Sequence, residues 1–307
     1  MTAPAPLRQF TPRDDLLHAE SATGPLARES LALTAPLPEH ELMLFVYVWR
    51  EGGTRWGRFV FVAGPDPAKP EYVSFDGDAP YAGDDLRDFT VSGLHCRQLE
   101  PLKTAGFAFS DGELDLAFHF EGVHAPFSYH DNVDGLPSWF AHDRYEQSGR
   151  TTGRLVLRGR EITIDGMGHR DHSWGTRDWN YFQHWKWINA ATPDGELTLH
   201  CLLTDALGNR LTNGYINRGG TVTRLARAEV TTELDDAMLH RRIQGTFVDE
   251  AGGGLTLDTR YSAAWSMPIQ HLFLNEVAMS ATLDDRPAVG HVEFGWPASY
   301  VRGITGT

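Results

Sequence analysis

Between Gly166 and Trp179 the chain reads Gly-Met-Gly-His-Arg-Asp-His-Ser-Trp-Gly-Thr-Arg-Asp-Trp, which places His169, Arg170, Asp171, His172, Arg177 and Asp178 beside Trp174 and Trp179. Trp185 and Trp187 follow at once, so four of the nine tryptophans fall between positions 174 and 187. Charges set among indoles and glycines lose hydration and cost stability unless they are paired and hydrogen-bonded. The same surroundings raise a carboxyl pKa and make a general acid of it, so Asp171 is the candidate proton donor. His172 or His169 is the candidate base. Trp174, Trp179, Trp185 and Trp187 are the candidate aromatic wall around a substrate, with Arg177 and Asp178 orienting the rest. The competing reading is structural, an Arg170–Asp178 or Arg177–Asp171 ion pair fixing an irregular crossover while the indoles fill core.

His169-x-Asp171-His172, with His184 nearby, has the residue types of a metal site. In an extended strand, however, His169 and Asp171 share one face while Arg170 and His172 take the other. No second spaced His/Asp pair completes a ligand set, so neither metal nor cofactor is expected. Upstream, Phe127, Tyr129 and His130 lie among His119, His124 and His142. That cluster suits either a cavity lining, with Tyr129 on the substrate, or a loop with solvated imidazoles. Glu146 reads as an ion-pair partner of Arg144 or Arg150. Near the C-terminus, His291, Glu293 and Gly295 share one face of an alternating run and Val292, Phe294 and Trp296 the other. Glu293 is therefore a second candidate carboxylate if its face is enclosed, and an ordinary surface residue if it is not.

The elements that must position these groups are strands. Leu42–Trp49 and Trp56–Val62 form a hairpin around Glu51-Gly52-Gly53-Thr54. Further strand candidates are Phe89–Leu99, Phe107–Phe109, Leu114–Phe120, Gly153–Leu157, Ile162–Ile164, Leu197–Thr204, Leu211–Arg218, Thr221–Leu225, Ile243–Asp249, Leu255–Ser262, Asn275–Leu283 and Val289–Trp296. Their spacing without amphipathic helices predicts a mostly β protein of antiparallel barrels or sandwiches with few short helices. Residues 1–40 read as an N-terminal arm, with short helices between Asp14 and Leu33 broken at Gly24-Pro25. The body divides into 41–179 and 180–307.

With 27 basic against 41 acidic residues among 307, the chain repels phosphate backbones and anionic headgroups, so nucleic acid is not an expected partner. No apolar run approaches the ~18–20 residues of a membrane span. The opening MTAPAPLRQFTPRDD lacks the pattern of a secretory signal, which points to a cytoplasmic protein without stable membrane insertion. Cys96 and Cys201 make no framework, zinc set or iron–sulfur site. There is no GxGxxG, phosphate loop, HExxH or GxSxG motif, so nucleotide and serine-hydrolase chemistry have no foothold.

Gly168-x-x-Asp171-His172-x-Trp174-Gly175, then Trp185-x-Trp187, then Asp194-Gly195-Glu196-Leu197, resembles the hinge of the carotenoid 1,2-hydratase (hydroxyneurosporene synthase) and AttH-like superfamily. Preceded by Tyr145-Glu146-Gln147-Ser148-Gly149-Arg150, the segment is similar to a bacterial branch of it. The specific matches cover about 145–225, and strand pattern extends the resemblance to 41–300. It implies two lipocalin-like β-domains joined near residue 180, with a ligand cavity in or between them. It also implies cofactor-independent action on an apolar, terpenoid or prenylated molecule, by hydration of a double bond, its reverse, or cyclisation of a polyene. Asp171 and His172 carry over as functional candidates. A non-catalytic carrier of a hydrophobic metabolite is the reading from another class. The expected partner is a hydrophobic small molecule, and a homo-oligomer is compatible with the sequence.

Overall fold

The computed structural model describes residues 6–19, 23–83 and 85–306. The first five residues of the expected arm, and positions 20–22 within it, lie outside the described residues. Among the described residues the strands form a twelve-stranded antiparallel sheet and a closed eight-stranded barrel. The two edges of the large sheet are Tyr72–Ala79 and Tyr81–Gly83, adjacent in the chain around Pro80. The sheet therefore curls back until its edges nearly meet. Its last long strand is Arg160–Thr176, and the barrel opens with Phe182–Ala191. One α-helix, Ala298–Thr305, follows the final barrel strand. No helix among the described residues is long and apolar enough to cross a membrane.

The expectation of short helices between Asp14 and Leu33 fails from Ala27 onward. After a 3-10 turn at Pro12–Asp15, and positions 20–22 that lie outside the described residues, the chain enters Ala27–Leu37, a strand in the middle of the large sheet, between Leu42–Glu51 and Arg160–Thr176. Its Ala/Leu texture reads as helical because both faces are buried and the polar alternation of a surface strand is missing. Leu31 and Leu33 enter the core of the sheet, while Ala32 packs toward the barrel. The single strand expected over Phe89–Leu99 is a tight hairpin of Asp88–Val91 and Leu94–Glu100. Its two turn residues, Ser92 and Gly93, both adopt positive φ, the geometry that matches strand twist.

Each sheet encloses its own core, and the outer faces of the two sheets pack against each other. One interface cluster joins Met43, Phe45, Phe59 and Phe61 to Met267 and Ala278 of the barrel. A second joins Phe127, Tyr129 and Phe140 to Phe182, Trp185 and Trp187. Close approach at this interface needs glycine opposite tryptophan. Gly295 pairs across the barrel strands with Trp185, whose indole lies over it where a Cβ would clash. Replacing Gly295 by valine is expected to cost about 1–3 kcal/mol of stability. Urea unfolding, with Gly254→Ala as a control whose added carbon meets nothing, is the measurement. Equal stability of the two variants would refute this role for Gly295.

Candidate active site between sheet and barrel

Arg160–Thr176 is extended along its whole length and buried on both faces from Met167 to Gly175. Its alternation sorts the reactive segment into two compartments. Asp171 and Ser173 face the barrel, as does His169, whereas Arg170, His172 and Trp174 face the interior of the large sheet.

On the barrel side lies a cavity of about 180 Å³. The large sheet contributes Ser30, Tyr47, Phe59, Arg144 and Asp171 to its walls, and the barrel contributes Trp185, Trp187, Leu202, Glu276 and Glu293. Phe140, Arg177, Trp179 and Phe182 complete the lining as one cluster. The expected wall of Trp179, Trp185 and Trp187 is thus assembled around one space with Asp171, Arg177 and Glu293.

Arg144 organises the sheet side. Its Nε donates to Glu146 Oε1 at 2.6 Å and its Nη2 to Asp171 Oδ2 at 2.8 Å. Glu146 is the ion-pair partner of Arg144 that its neighbourhood in the chain suggested. It also meets His169 Nε2 at 2.7 Å and accepts from Trp187 Nε1 at 3.3 Å. Burial disfavours the Glu146 charge, but Arg144, His200 and His169 outweigh it and hold the carboxyl well below its usual range. Asp171 goes the other way. Burial and the Glu146 charge raise it to about 7 against the pull of Arg144 and Arg177. Its second oxygen, Oδ1, has no hydrogen-bond partner.

The barrel side holds a second carboxyl group, paired with a third. Glu276 and Glu293 sit directly opposite each other on neighbouring strands. Trp185 Nε1 donates to Glu293, and His291 Nε2 lies 2.7 Å from Glu276 Oε2. Burial pushes Glu276 up to about 7, and burial beside the Glu276 charge pushes Glu293 well above the carboxylate range. The pair therefore retains a proton near neutrality, because two facing carboxylates, one buried and one half-buried, resist ionising together. Val292 and Phe294 point into the barrel core. Glu293 thus lies on the outer face of the barrel, which the large sheet encloses.

Four sequence-derived assignments change. His172 does not reach the cavity; its Nε2 bonds Glu29 at 3.0 Å inside the large sheet, because the strand never turns. Trp174 lies on that same inner face, stacked on His18 with centroids 3.7 Å apart. His169 sits behind Asp171, bonded to Glu146, and does not line the space. Tyr129 is fully buried beneath Arg144, its hydroxyl 2.8 Å from His200 Nε2, so it supports the wall instead of lining it. Neither expected ion pair forms. Arg170 Nε bonds Gln147, while Asp178 caps the turn at Trp179–Tyr181 by accepting from the Asn180 amide.

Glu276 and Arg144 were missed as cavity residues. The signal for Glu276 was present, since a two-residue turn at Asp284-Asp285 sets a hairpin register that places it opposite Glu293. Arg144 had no such signal.

Two clusters have metal-ligand types, His18–Glu29–His172 and Glu146–His169–His200. Each of the six residues makes at least one hydrogen bond with a neighbouring side chain. Glu29 accepts from the His18 amide and from both imidazoles, and those bonds overcome burial to hold it down to about 2. Glu146 is already neutralised by Arg144. None of these six residues lines the cavity.

The fold and the site together define a protein of two lipocalin-like β-domains with a cavity where they meet. The AttH-like protein of Nitrosomonas europaea superposes with a TM-score of 0.61 at 14% identity, over 95% of this chain and 98% of that one. CghA, solved with Sch210972, gives 0.62 at 12% identity over 88% of each chain. Kievitone hydratase of Nectria haematococca gives 0.57 at 10% over 92% of each. No curated protein matches by sequence. A family model described as a domain of unknown function (DUF7064) matches residues 11–298, and the chain belongs to that family.

The site carries a pH signature. Burial depresses His124, His169, His184, His200, His240 and His291, several of them to about 4 or below. Unfolded, each binds a proton below its ordinary pKa of about 6.5, so each removes stability as pH falls toward its folded pKa. Asp171, Glu276 and Glu293 are raised and act in the opposite sense, but the histidines outnumber them. Thermal stability is expected to fall progressively from pH 6.5 to pH 4, read by calorimetry. A melting temperature that stays flat or rises across this window would contradict the buried, neutral imidazoles.

Proposed function

We propose that this protein is a cofactor-independent enzyme that adds water to an isolated double bond of an apolar, terpenoid or prenylated molecule, or removes it in reverse. The observation that carries this reading is Asp171, a carboxyl on the wall of an indole-lined cavity with one oxygen unpartnered and its pKa near neutrality. An alkene carbon is barely basic, and only a neutral acid in a water-poor space can protonate it efficiently. The kievitone hydratase among the fold neighbours, a hydratase by name, supports the same class of chemistry.

In the forward direction the Asp171 O–H bond breaks as a C–H bond forms at one end of the alkene. The other carbon becomes a tertiary cation facing Trp179, Trp185 and Trp187, where cation–π attraction is worth about 2 kcal/mol when desolvated. Water adds to that carbon, and its proton passes to the ionised member of the Glu276–Glu293 pair on the opposite wall. This pair takes the role that the sequence assigned to His172 or His169. Proton return through solvent restores Asp171 and leaves alkene plus water converted to alcohol.

The test is incubation with prenylated and terpenoid alkenes in oxygen-18 water, read by mass spectrometry. A labelled hydrated product is expected, with turnover falling at least about a hundredfold in Asp171→Asn and in Glu293→Gln. An isomeric, unlabelled product would overturn hydration in favour of cyclisation. Bound but unchanged ligand would replace it with carriage. Turnover of Asp171→Asn within about threefold of wild type would remove Asp171 as the acid.

A further inference from the structure

Arg177 is buried to 7% relative exposure on the cavity wall, yet no carboxylate among the described residues lies within ion-pair distance of it. Its Nε donates to the Phe140 carbonyl at 2.5 Å and its Nη2 to Ser173 Oγ at 2.9 Å, both neutral acceptors. Its guanidinium lies over the rings of Phe140 and Trp179, at 4.7 and 5.1 Å. The remaining nitrogen, Nη1, has no partner among the described residues. The other two arginines at the cavity differ. Arg28 is paired with Glu51 at 2.9 Å, and Arg144 is paired with both Glu146 and Asp171. The neighbouring Asp178 is turned to the Asn180 amide.

An isolated buried guanidinium costs several kcal/mol unless something neutralises it. With Asp171 in its protonated, acid form, the Arg144–Glu146 pair is neutral and the wall keeps one net positive charge, that of Arg177. Burial and the nearby charges of Arg144 and Arg28 lower the Arg177 pKa to about 10, which still leaves it cationic at neutral pH. A guanidinium left unpaired at a cavity wall is a receptor for a planar oxyanion.

We propose, building on the function proposed above, that the substrate is an apolar alkene bearing an oxyanion, of the carboxylate type, which Arg177 binds on the cavity wall beside Phe140 and Trp179. The anion would anchor one end of the molecule while the indoles hold its apolar body beside Asp171. It would also offset the pull of Arg177 on the Asp171 carboxyl and so favour the acid form when substrate is bound.

Farnesoic acid and farnesol share an apolar body and differ in whether the head is an oxyanion, so they isolate this interaction. Binding at neutral pH is read by quenching of tryptophan fluorescence. Wild type is expected to bind the acid at least about tenfold more tightly than the alcohol. Arg177→Met is expected to abolish that preference while holding farnesol within about threefold of wild type, and Arg177→Lys to retain part of it. Equal affinity of wild type for acid and alcohol would overturn the oxyanion proposal and leave the apolar cavity standing. Equal weakening of both ligands in Arg177→Met would also overturn it, because that is the mark of a packing role. Absence of binding for both ligands in wild type would overturn the terpenoid-cavity reading and this proposal with it.

Discussion

Arg144 carries a full positive charge buried between two β-layers, and the arrangement of its two carboxylate partners governs the chemistry around it. Its fork reaches Glu146 on its own strand and Asp171 on the neighbouring strand. One cation cannot fully compensate two buried anions. The partner with more donors, Glu146, keeps its charge with help from His169 and Trp187. Asp171 has fewer donors and faces the cavity, and its pKa rises to about 7. The two carboxyls thus diverge in a competition for one arginine, and the outcome is set by hydrogen-bond supply.

The same asymmetry appears on the barrel wall. Glu276 and Glu293 face one another across an antiparallel pair in a layer with no arginine between them. His291 supports one and Trp185 the other. One wall raises a single carboxyl beside an ion pair, and the opposite wall raises two facing carboxyls together. Both walls are tied to rigid strands of closed or nearly closed sheets, which holds catalytic geometry better than loops do.

The strand Arg160–Thr176 shows why so polar a segment is buried at all. Its inner face completes the His18–Glu29–His172 network, which fastens the segment before Ala27 to the sheet. Its outer face supplies Asp171 to the cavity. A surface strand would carry polar residues on one side only. This strand has the sheet interior on one side and the barrel on the other, so both faces carry polar groups and both must be satisfied internally.

Much of this was legible in the chain itself. Residue types and turn spacing determined a mostly β protein, because strand alternation and turn chemistry are local. The tryptophan–carboxylate segment supplies part of the cavity wall, and strand periodicity already separated Asp171 from His172. The central strand Ala27–Leu37 escaped notice because burial on both faces erases the local pattern. Only the tertiary structure decided that the outer face of the barrel is enclosed, which turns Glu293 and Glu276 from surface residues into cavity walls. It alone brought Arg144 to Asp171, across a register distant in sequence, and left Arg177 without an anion. Those outcomes depend on which sheet faces pack together and on how buried charges compete for partners, and no local pattern of residues encodes either.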